Sequence, residues 1–313
     1  MINLAQKKIL VTGAHGFLGK HLKRNLIEKR KVPRENLFLP KKEEFDLRKW
    51  ENCQKAVSDQ DIVFHLAANV GGIGFNKAKP GELFYDNAIM GIQLMEAARQ
   101  TGVEKFITVG TTCAYPKFTP LPFKEEDIWL GYPEEVTASY GLAKKMLLVQ
   151  AQAYALQYGF NSIFLMPTNL YGPEDNFDPN FSHVIPALVK NFVDAKKNNQ
   201  SFVEVWGTGK ATREFLYVKD AAEGLILAAE RYDSPESINL GTGIETPIKD
   251  LVKLISNLSG FKGEIRWDAS KPEGQPRRFL DVSKAKKEFG FEARTSLEQG
   301  LSETINWYLK LRS

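Results

Sequence analysis

Hydrophobic positions in the first half of the chain follow two alternating periods. Short apolar runs, rich in β-branched and aromatic residues, predict strands at 8–12, 36–39, 61–66, 105–109 and 162–166. Between them, apolar residues recur every three or four positions, which predicts helices at 17–29, 47–57, 82–100 and 140–158. Strands that alternate with helices in this way are typical of a parallel sheet wound on both faces. We therefore expect an α/β fold with a doubly wound parallel sheet.

The second half of the chain has a different texture. After Tyr171-Gly172-Pro173 the loops become rich in Asp, Asn and Pro, and helices are predicted at 183–197, 219–231, 247–258 and 297–309. We expect two parts: a nucleotide-binding domain over 1–171, to which 214–241 returns, and a smaller, mainly substrate-binding domain over 172–313.

Composition excludes several classes of protein. The 43% hydrophobic and 26% charged content is that of a globular protein, and no apolar run approaches the roughly 18 residues of a membrane span. The 42 basic and 38 acidic residues form no basic stripe, so we expect no nucleic-acid partner. Cys53 and Cys113 are too few and too far apart for a disulfide framework or a zinc site. We expect a cytoplasmic protein that binds no metal and no membrane.

A glycine-rich turn follows the first predicted strand and opens the first predicted helix. Glycines at this point allow a tight turn and close approach of the backbone to a pyrophosphate, which the helix N-terminus attracts. A turn kept only for packing is the alternative, but the strand–turn–helix position favours a Rossmann-type dinucleotide site. The candidate contacts are Gly13, His15, Gly16, Phe17, Leu18 and Gly19.

The end of the second predicted strand bears on the choice of coenzyme. An acidic residue there would hold the 2′-hydroxyl of NAD, whereas positive charge suits the 2′-phosphate of NADP. Lys41 and Lys42 stand there with no acid, and His15 adds a further basic group, so NADP is favoured over NAD. A solvated pair of surface lysines is the alternative. Asp46-Leu47 could meet the adenine, or Asp46 could be the N-cap of the next helix.

A tyrosine and a lysine lie four residues apart on the predicted helix 140–158. Tyr140 and Lys144 therefore share one face, and a nearby ammonium should lower the pKa of the phenol toward neutrality, as proton transfer to a carbonyl requires. Thr111 follows the strand 105–109 and could place a hydroxyl at the same edge of the sheet. A purely structural i,i+4 pair is the alternative.

These residues resemble the extended short-chain dehydrogenase/reductases. The chain is most similar to the members that act on GDP-4-keto-6-deoxymannose, and this resemblance covers almost its whole length. Asn87 belongs to the wider resemblance, and the closer one rests on the blocks 67–73, 112–116, 167–173, 182–188, 206–209 and 213–216.

The resemblance implies a catalytic set. Cys113 and His183 would be the base and the acid that invert C3 and C5 of a 4-keto sugar, and Tyr140 would protonate the C4 oxygen during hydride transfer, with Thr111 and Lys144 assisting. Without the family, Cys113 would be a small apolar filler and His183 a helix-start histidine bonded to backbone.

The resemblance also implies binding residues. Those for the coenzyme are Ala67, Ala68, Lys144, Pro167, Thr168, Asn169 and Leu170. Those for the substrate are Asn169, His183, Lys190, Trp206, Arg213, Glu273 and Arg278. A solvated charged loop is the alternative for Arg277 and Arg278, and a core aromatic for Trp206. Asn191 stands where relatives carry a basic contact to the substrate, which only Lys190 could replace.

The implied function is an NADPH-dependent epimerase/reductase that makes GDP-L-fucose from GDP-4-keto-6-deoxymannose. The alternatives are an epimerase or reductase for another GDP-4-keto sugar such as a 6-deoxyheptose, an epimerase without net reduction, and a non-catalytic NADP-binding regulator. The resemblance also implies a homodimer paired through the helices 82–100 and 140–158, which carry more apolar residues than one sheet face should cover: Leu83, Ile89, Met90, Leu94, Met146, Leu147 and Tyr154. The alternative is that all these side chains lie on the sheet.

Overall fold

The computed structural model describes residues 1–178, 182–271 and 274–312. The strands are β1 Ile9–Thr12, β2 Leu37–Phe38, β3 Ile62–His65, β4 Lys105–Val109, β5 Ser162–Pro167, β6 Asn169–Tyr171, β7 Phe202–Trp206, β8 Thr212–Arg213, β9 Phe215–Tyr217, β10 Ser237–Leu240, β11 Thr246–Pro247 and β12 Glu264–Asp268. The α-helices are α1 Phe17–Glu28, α2 Trp50–Val57, α3 Ile73–Ala78, α4 Pro80–Gln100, α5 Ala138–Tyr158, α6 Val184–Lys197, α7 Val218–Arg231, α8 Ile248–Ser259, α9 Ser283–Phe289 and α10 Leu297–Arg312.

A six-stranded parallel sheet forms the centre of the molecule. Its order is β2-β1-β3-β4-β5-β10, so the chain starts in the middle, builds outward on one side and then on the other. The expected α/β fold with a doubly wound parallel sheet is confirmed. Strand β10 comes from within 214–241 and pairs with β5, with Ser237 opposite Phe164.

Helices cover both faces of this sheet, which explains why its strands are nearly continuous apolar runs. One face packs against α1 and α7 through residues such as Leu22 and Leu225. The other packs against α2, α4 and α5 through Cys53, Leu94 and Leu147. The carboxyl ends of the strands remain at one edge, where parallel sheets bind their ligands.

A third apolar core lies within the second half of the chain. Helices α6, α8 and α10 contribute Val189, Ile255 and Ile305 to it. Strand β7 lies against it and pairs in parallel with β12, its residues alternating exposed and buried. Strands β7 and β12 were not predicted from the sequence, because a short, half-exposed strand depends on its partner for stability. No helix among the described residues has the length and apolar character to traverse a bilayer.

Candidate active site

The glycine turn has the geometry expected of a dinucleotide site. Gly13 has a φ of +70°, and a Cβ there would lie 2.9 Å from the backbone nitrogen of Ala67. A Cβ on Gly19 would lie 2.1 Å from the Gly13 carbonyl oxygen, so the first turn of α1 packs directly on the loop. Helix α1 begins at Phe17 with Gly16 as its N-cap. The backbone is therefore exposed to an incoming phosphate at the positive end of a helix.

A buried polar cluster supports this turn from below. The hydroxyl of Thr12 lies 3.0 Å from Nδ1 of His65 and accepts the N–H of Ala67 at 3.2 Å. Burial lowers the pKa of His65 to about 3, with a smaller contribution from Lys144. The cluster joins the ends of β1 and β3 and places Ala67 and Ala68 beside the glycine turn. Sequence reasoning missed His65, whose signal was a histidine at the last position of an apolar strand.

Basic side chains lie at the far end of the turn. His15 is exposed, and its Nε2 donates to the Leu39 carbonyl at 3.1 Å, which ties the glycine loop to the end of β2. Lys41 and Lys42 follow directly and are exposed. The three candidate 2′-phosphate ligands therefore occupy neighbouring loops.

Asp46 lies in a tight turn before α2. Arg48 donates to both carboxylate oxygens of Asp46, at 2.9 and 2.8 Å, and lowers the pKa of that carboxyl to about 2. The expected helical start at 47 and the N-cap alternative for Asp46 are wrong. The Asp46 carboxylate accepts the backbone N–H of Arg48 instead, and the N-cap of α2 is Lys49. Leu47 is buried beneath this turn.

The candidate catalytic side chains come from two elements that touch. Thr111 follows β4 and caps a short 3-10 turn by accepting the Cys113 N–H at 3.2 Å. Helix α5 packs on this turn, since a Cβ on Gly141 would lie 2.2 Å from the Cys113 carbonyl oxygen. Tyr140 and Lys144 lie one turn apart on α5. The hydroxyl, thiol and phenol therefore belong to one small region at the carboxyl end of β4.

Burial controls the protonation of this region. The pKa of Tyr140 is raised by burial and, to a lesser extent, by Cys113, while burial lowers the pKa of Lys144 to about 8. The expectation that Lys144 lowers the pKa of Tyr140 is wrong, because loss of water penalises both the tyrosinate and the lysine ammonium. Tyr140 is thus held as a phenol, the form that donates a proton.

Cys113 is half-buried and faces a cation. Nη1 of Arg278 donates to its Sγ at 3.9 Å, and Nη2 of Arg278 lies 3.5 Å from the Glu134 carboxylate. Arg278 is only 13% exposed, so the alternative of a solvated loop residue is wrong for it. The solvated-loop alternative is right for Arg277, which is 54% exposed and ion-paired to Glu245.

Gln275 connects the two candidate substrate arginines. Its backbone carbonyl accepts Nη1 of Arg213 at 2.6 Å, and its side-chain oxygen accepts Nε and Nη2 of Arg278 at 2.8 and 2.6 Å. Sequence reasoning missed this residue and Glu134. The signal for Gln275 was a polar residue between Gly274 and Pro276 in the block that contains Arg278. Glu273 lies outside the described residues.

The remaining candidates are spread along the second half of the chain. His183 is the N-cap residue of α6, but its side chain makes no cap bond, and desolvation lowers its pKa. Trp206 is 63% exposed at the end of β7, so the core-aromatic alternative is wrong. Lys190 pairs with Asp194 at 2.7 Å on α6. Asn191 lines an open cavity of about 730 Å³ between α6 and β7.

The segment after β5 is held by Glu214. Asn169 and Thr168 donate to its backbone carbonyl at 2.9 and 3.4 Å. Its buried carboxylate accepts the N–H groups of Gly243 at 2.7 Å and Leu280 at 2.8 Å. Glu214, also missed from sequence, therefore joins the strand end that carries Pro167 and Leu170 to the segment leading from Arg278.

Comparison with known proteins gives one consistent family. Residues 9–241 match the model of the NAD dependent epimerase/dehydratase family. The chain is 39% identical to "GDP-L-fucose synthase 1" of Arabidopsis thaliana over 97% of its own length and 93% of the relative's.

Solved structures of similar fold include enzymes that act on different sugars. A GDP-6-OMe-4-keto-L-xylo-heptose reductase from C. jejuni has a TM-score of 0.90 at 29% identity, covering 98% of this chain and 99% of that one. A GDP-L-fucose synthetase from Naegleria fowleri bound to NADP has a TM-score of 0.85 at 30% identity, covering 97% and 94%.

Proposed function

Because the chain belongs to the NAD dependent epimerase/dehydratase family, we propose that it converts GDP-4-keto-6-deoxymannose to GDP-L-fucose with NADPH. The observation that carries the proposal is the packing of α5 on the turn after β4. This packing joins Thr111, Cys113, Tyr140 and Lys144 in one region. A protein that only binds a dinucleotide has no need of a base and a proton donor there.

The residues at the sheet edge fit a dinucleotide. A Cβ on Gly13 would collide with the backbone at Ala67, and one on Gly19 with the backbone of Gly13, so only glycines allow this tight turn, whose N–H groups can then approach a pyrophosphate. His15, Lys41 and Lys42 would hold the 2′-phosphate, and Asp46 and Leu47 the adenine. Ala67, Ala68, Lys144 and the stretch 167–170 would line the nicotinamide side. The bound coenzyme supplies the hydride for C4.

Cys113 and His183 would carry out the inversions. The protons on C3 and C5 are acidified by the neighbouring C4 ketone, because the electrons left behind are delocalised onto its oxygen. Cys113 as a thiolate would take such a proton, forming its S–H bond, and His183 would return one from the opposite face. His183 must then be protonated, and the desolvation that lowers its pKa opposes that form.

Tyr140 would complete the reduction. Its raised pKa keeps the proton on the phenol until negative charge develops on the C4 oxygen, which then accepts it. Lys144, buried beside it on the same helix face, would stabilise the tyrosinate that remains. The Thr111 hydroxyl would hydrogen-bond the sugar oxygen.

The nucleotide portion of the substrate would lie over the second half of the chain. Arg213 suits a diphosphate because its guanidinium is permanently charged and is oriented by Gln275. Trp206 exposes an aromatic face on which a guanine ring can stack. Glu273, Lys190 and Asn169 are further candidate contacts. We assign 1–171 with 214–241 to coenzyme binding, and the rest of 172–313 mainly to substrate binding.

The first experiment follows the loss of reduced-nicotinamide absorbance with GDP-4-keto-6-deoxymannose, with NADPH and NADH in parallel. Stoichiometric consumption of NADPH, with GDP-L-fucose identified by NMR, is the expected result. Tight binding of NADPH without consumption would overturn the substrate assignment.

A GDP-4-keto-heptose is the second candidate substrate. The C. jejuni heptose reductase has the higher TM-score of the two enzymes compared above, and Asn191 replaces a basic group expected for the fucose reaction. Faster NADPH oxidation with a GDP-4-keto-6-deoxyheptose than with the deoxymannose substrate would favour it.

We further propose a cytoplasmic homodimer that pairs through α4 and α5. Phe84 and Tyr85 on α4 and Val149 and Leu156 on α5 are 40%, 59%, 50% and 91% exposed. Of the residues first considered for this surface, Met146 is 38% exposed, whereas Leu83, Leu94 and Leu147 belong to the core beneath. Their assignment to a dimer contact was wrong, because α4 and α5 bury those side chains against each other and the sheet.

A further inference from the structure

We infer that Arg278 is a positioning residue that keeps Cys113 as a thiolate, the form in which it acts as a base. The inference rests on the proposed function, because it assigns a partner to the base of that reaction. It is separate from the contact between Arg278 and substrate that the family resemblance implies.

The direction of the Arg278 guanidinium carries the inference. Its Nε and Nη2 edge grips the side-chain oxygen of Gln275 at 2.8 and 2.6 Å, which leaves Nη1 to point at the Cys113 sulfur 3.9 Å away. The side chain is 13% exposed, so little water competes for the charge. A permanently charged group beside a sulfur stabilises the thiolate relative to the thiol.

Gln275 keeps this arrangement rigid. It is 8% exposed, and its side-chain nitrogen donates to the Lys117 carbonyl at 3.1 Å. The following segment is anchored as well, because Phe123 and Asp281 donate backbone N–H groups to Phe279 and Phe123, each at 2.9 Å. The guanidinium is thus attached to the same loop that continues from Cys113.

The charges around Cys113 have defined signs. Among the residues that the structure describes, Arg278 is the cation in contact with the sulfur, and Glu134, 3.5 Å from that guanidinium, offsets part of its charge. From α5, Tyr140 is a neutral phenol, and burial shifts Lys144 toward its uncharged form. Removal of Arg278 and removal of Glu134 should therefore change the thiolate fraction in opposite directions.

This role gives the proton transfer its starting state. The thiolate electron pair forms the S–H bond, the C–H bond beside the ketone breaks, and the electrons of that bond move onto the C4 oxygen. A neutral thiol would have to lose its proton first. The guanidinium stays charged at any pH at which the protein is folded, so it supplies this effect throughout the working range.

The test is the rate of alkylation of the whole protein by iodoacetamide without any sugar, followed by intact mass. Cys113 is one of only two cysteines, and the other, Cys53, is fully buried in α2, so the first modification reports Cys113. Arg278→Gln should react roughly tenfold more slowly at pH 7, equivalent to about 1.4 kcal/mol of lost charge stabilisation. Arg278→Lys should recover part of the alkylation rate, and Glu134→Gln should be alkylated faster than the wild-type protein.

Alkylation rates at a second pH distinguish the effect of the Arg278 charge from an effect of altered packing. At pH 10.5 the thiol ionises without help, so all variants should react at similar rates. Equal rates at pH 7, or a slow Arg278→Gln at both pH values, would overturn the inference. NADPH binding by each variant checks that it is folded. If the charge effect is found but no GDP-sugar is turned over, the proposed reaction fails and the assignment of Arg278 to Cys113 stands.

Discussion

At the scale of single residues, burial decides the chemistry of this site more than the charges of neighbouring side chains do. Tyr140 and Lys144 have the helical spacing that would let an ammonium lower the pKa of the phenol. Lys144 is buried and Tyr140 partly buried, and desolvation raises the pKa of Tyr140 and lowers that of Lys144. The pair therefore begins with a protonated phenol, which suits proton donation to a developing alkoxide.

Tyr140→Phe removes that proton without changing the ring. We expect NADPH oxidation to fall by about 10² to 10⁴ while NADPH binding is retained, since general acids contribute factors of this size. Steady-state kinetics measures the rate of NADPH oxidation, and fluorescence titration measures NADPH binding. Tyr132→Phe, at a 62% exposed tyrosine, is the matched control and should react normally. Full activity in the Tyr140 variant would exclude it as the proton donor.

His65 makes stability depend on pH. Its pKa is about 3 in the folded protein and about 6.5 when unfolded, so between these values the unfolded chain binds the extra proton. The free energy of unfolding should therefore decrease as pH falls below 6.5, by about 1.4 kcal/mol per pH unit from this group. Urea unfolding at pH 7 and pH 5 should give a smaller difference for His65→Asn. An identical difference would contradict the assignment.

At the scale of elements, the predictable features were those set by local pattern. Strand β4 was predicted at its observed limits, and α1, α4 and α5 within two residues, because long periodic stretches contain their own signal. The start of α2 was missed by three residues because Arg48 folds back on Asp46. Strands β7 and β12 were missed because each is stabilised by pairing with the other, about 60 residues away in the chain.

The turn between β1 and α1 can be tested with two glycines of the same backbone conformation. Gly13 and Gly102 have φ values of +70° and +78°, but only a Cβ on Gly13 meets other atoms. Gly102→Ala should lower stability by about 1 to 2 kcal/mol through its left-handed backbone alone, and Gly13→Ala should lower it further, because its Cβ also meets the backbone at Ala67. Only Gly13→Ala should also weaken NADPH binding, by at least about tenfold, as measured by fluorescence titration. Equal affinity in both variants would argue against pyrophosphate binding at this turn.

At the scale of the whole molecule, the site depends on contacts between distant segments. Arg278 reaches Cys113 from 165 residues away in sequence, and Gln275 joins it to Arg213. Glu214 connects the strand end at Asn169 to the backbone at Leu280. The two halves of the chain thus meet through buried polar groups, whose loss would leave unsatisfied donors and acceptors.

The proposed dimer contact on α4 and α5 can be tested by placing a charge in it. Val149→Glu places a charge on the exposed face of α5 and should convert the proposed dimer to monomer in sedimentation velocity, because a charge cannot be buried unpaired in an apolar contact. Leu309→Glu, on the 44% exposed position of α10, should leave the dimer intact. A monomeric mass for the unmodified chain would contradict the proposal.

The sequence by itself determined the class of fold, the coenzyme-binding turn and the pair Tyr140 and Lys144. These follow from residues close together in the chain, whose spacing dictates local structure, whereas Cys113 and His183 became candidates only through the family resemblance. Only the tertiary structure decided the protonation of Tyr140 and the direction of the Arg278 guanidinium. Burial and long-range hydrogen bonds arise when distant segments pack, and a linear pattern contains neither distance nor solvent exposure.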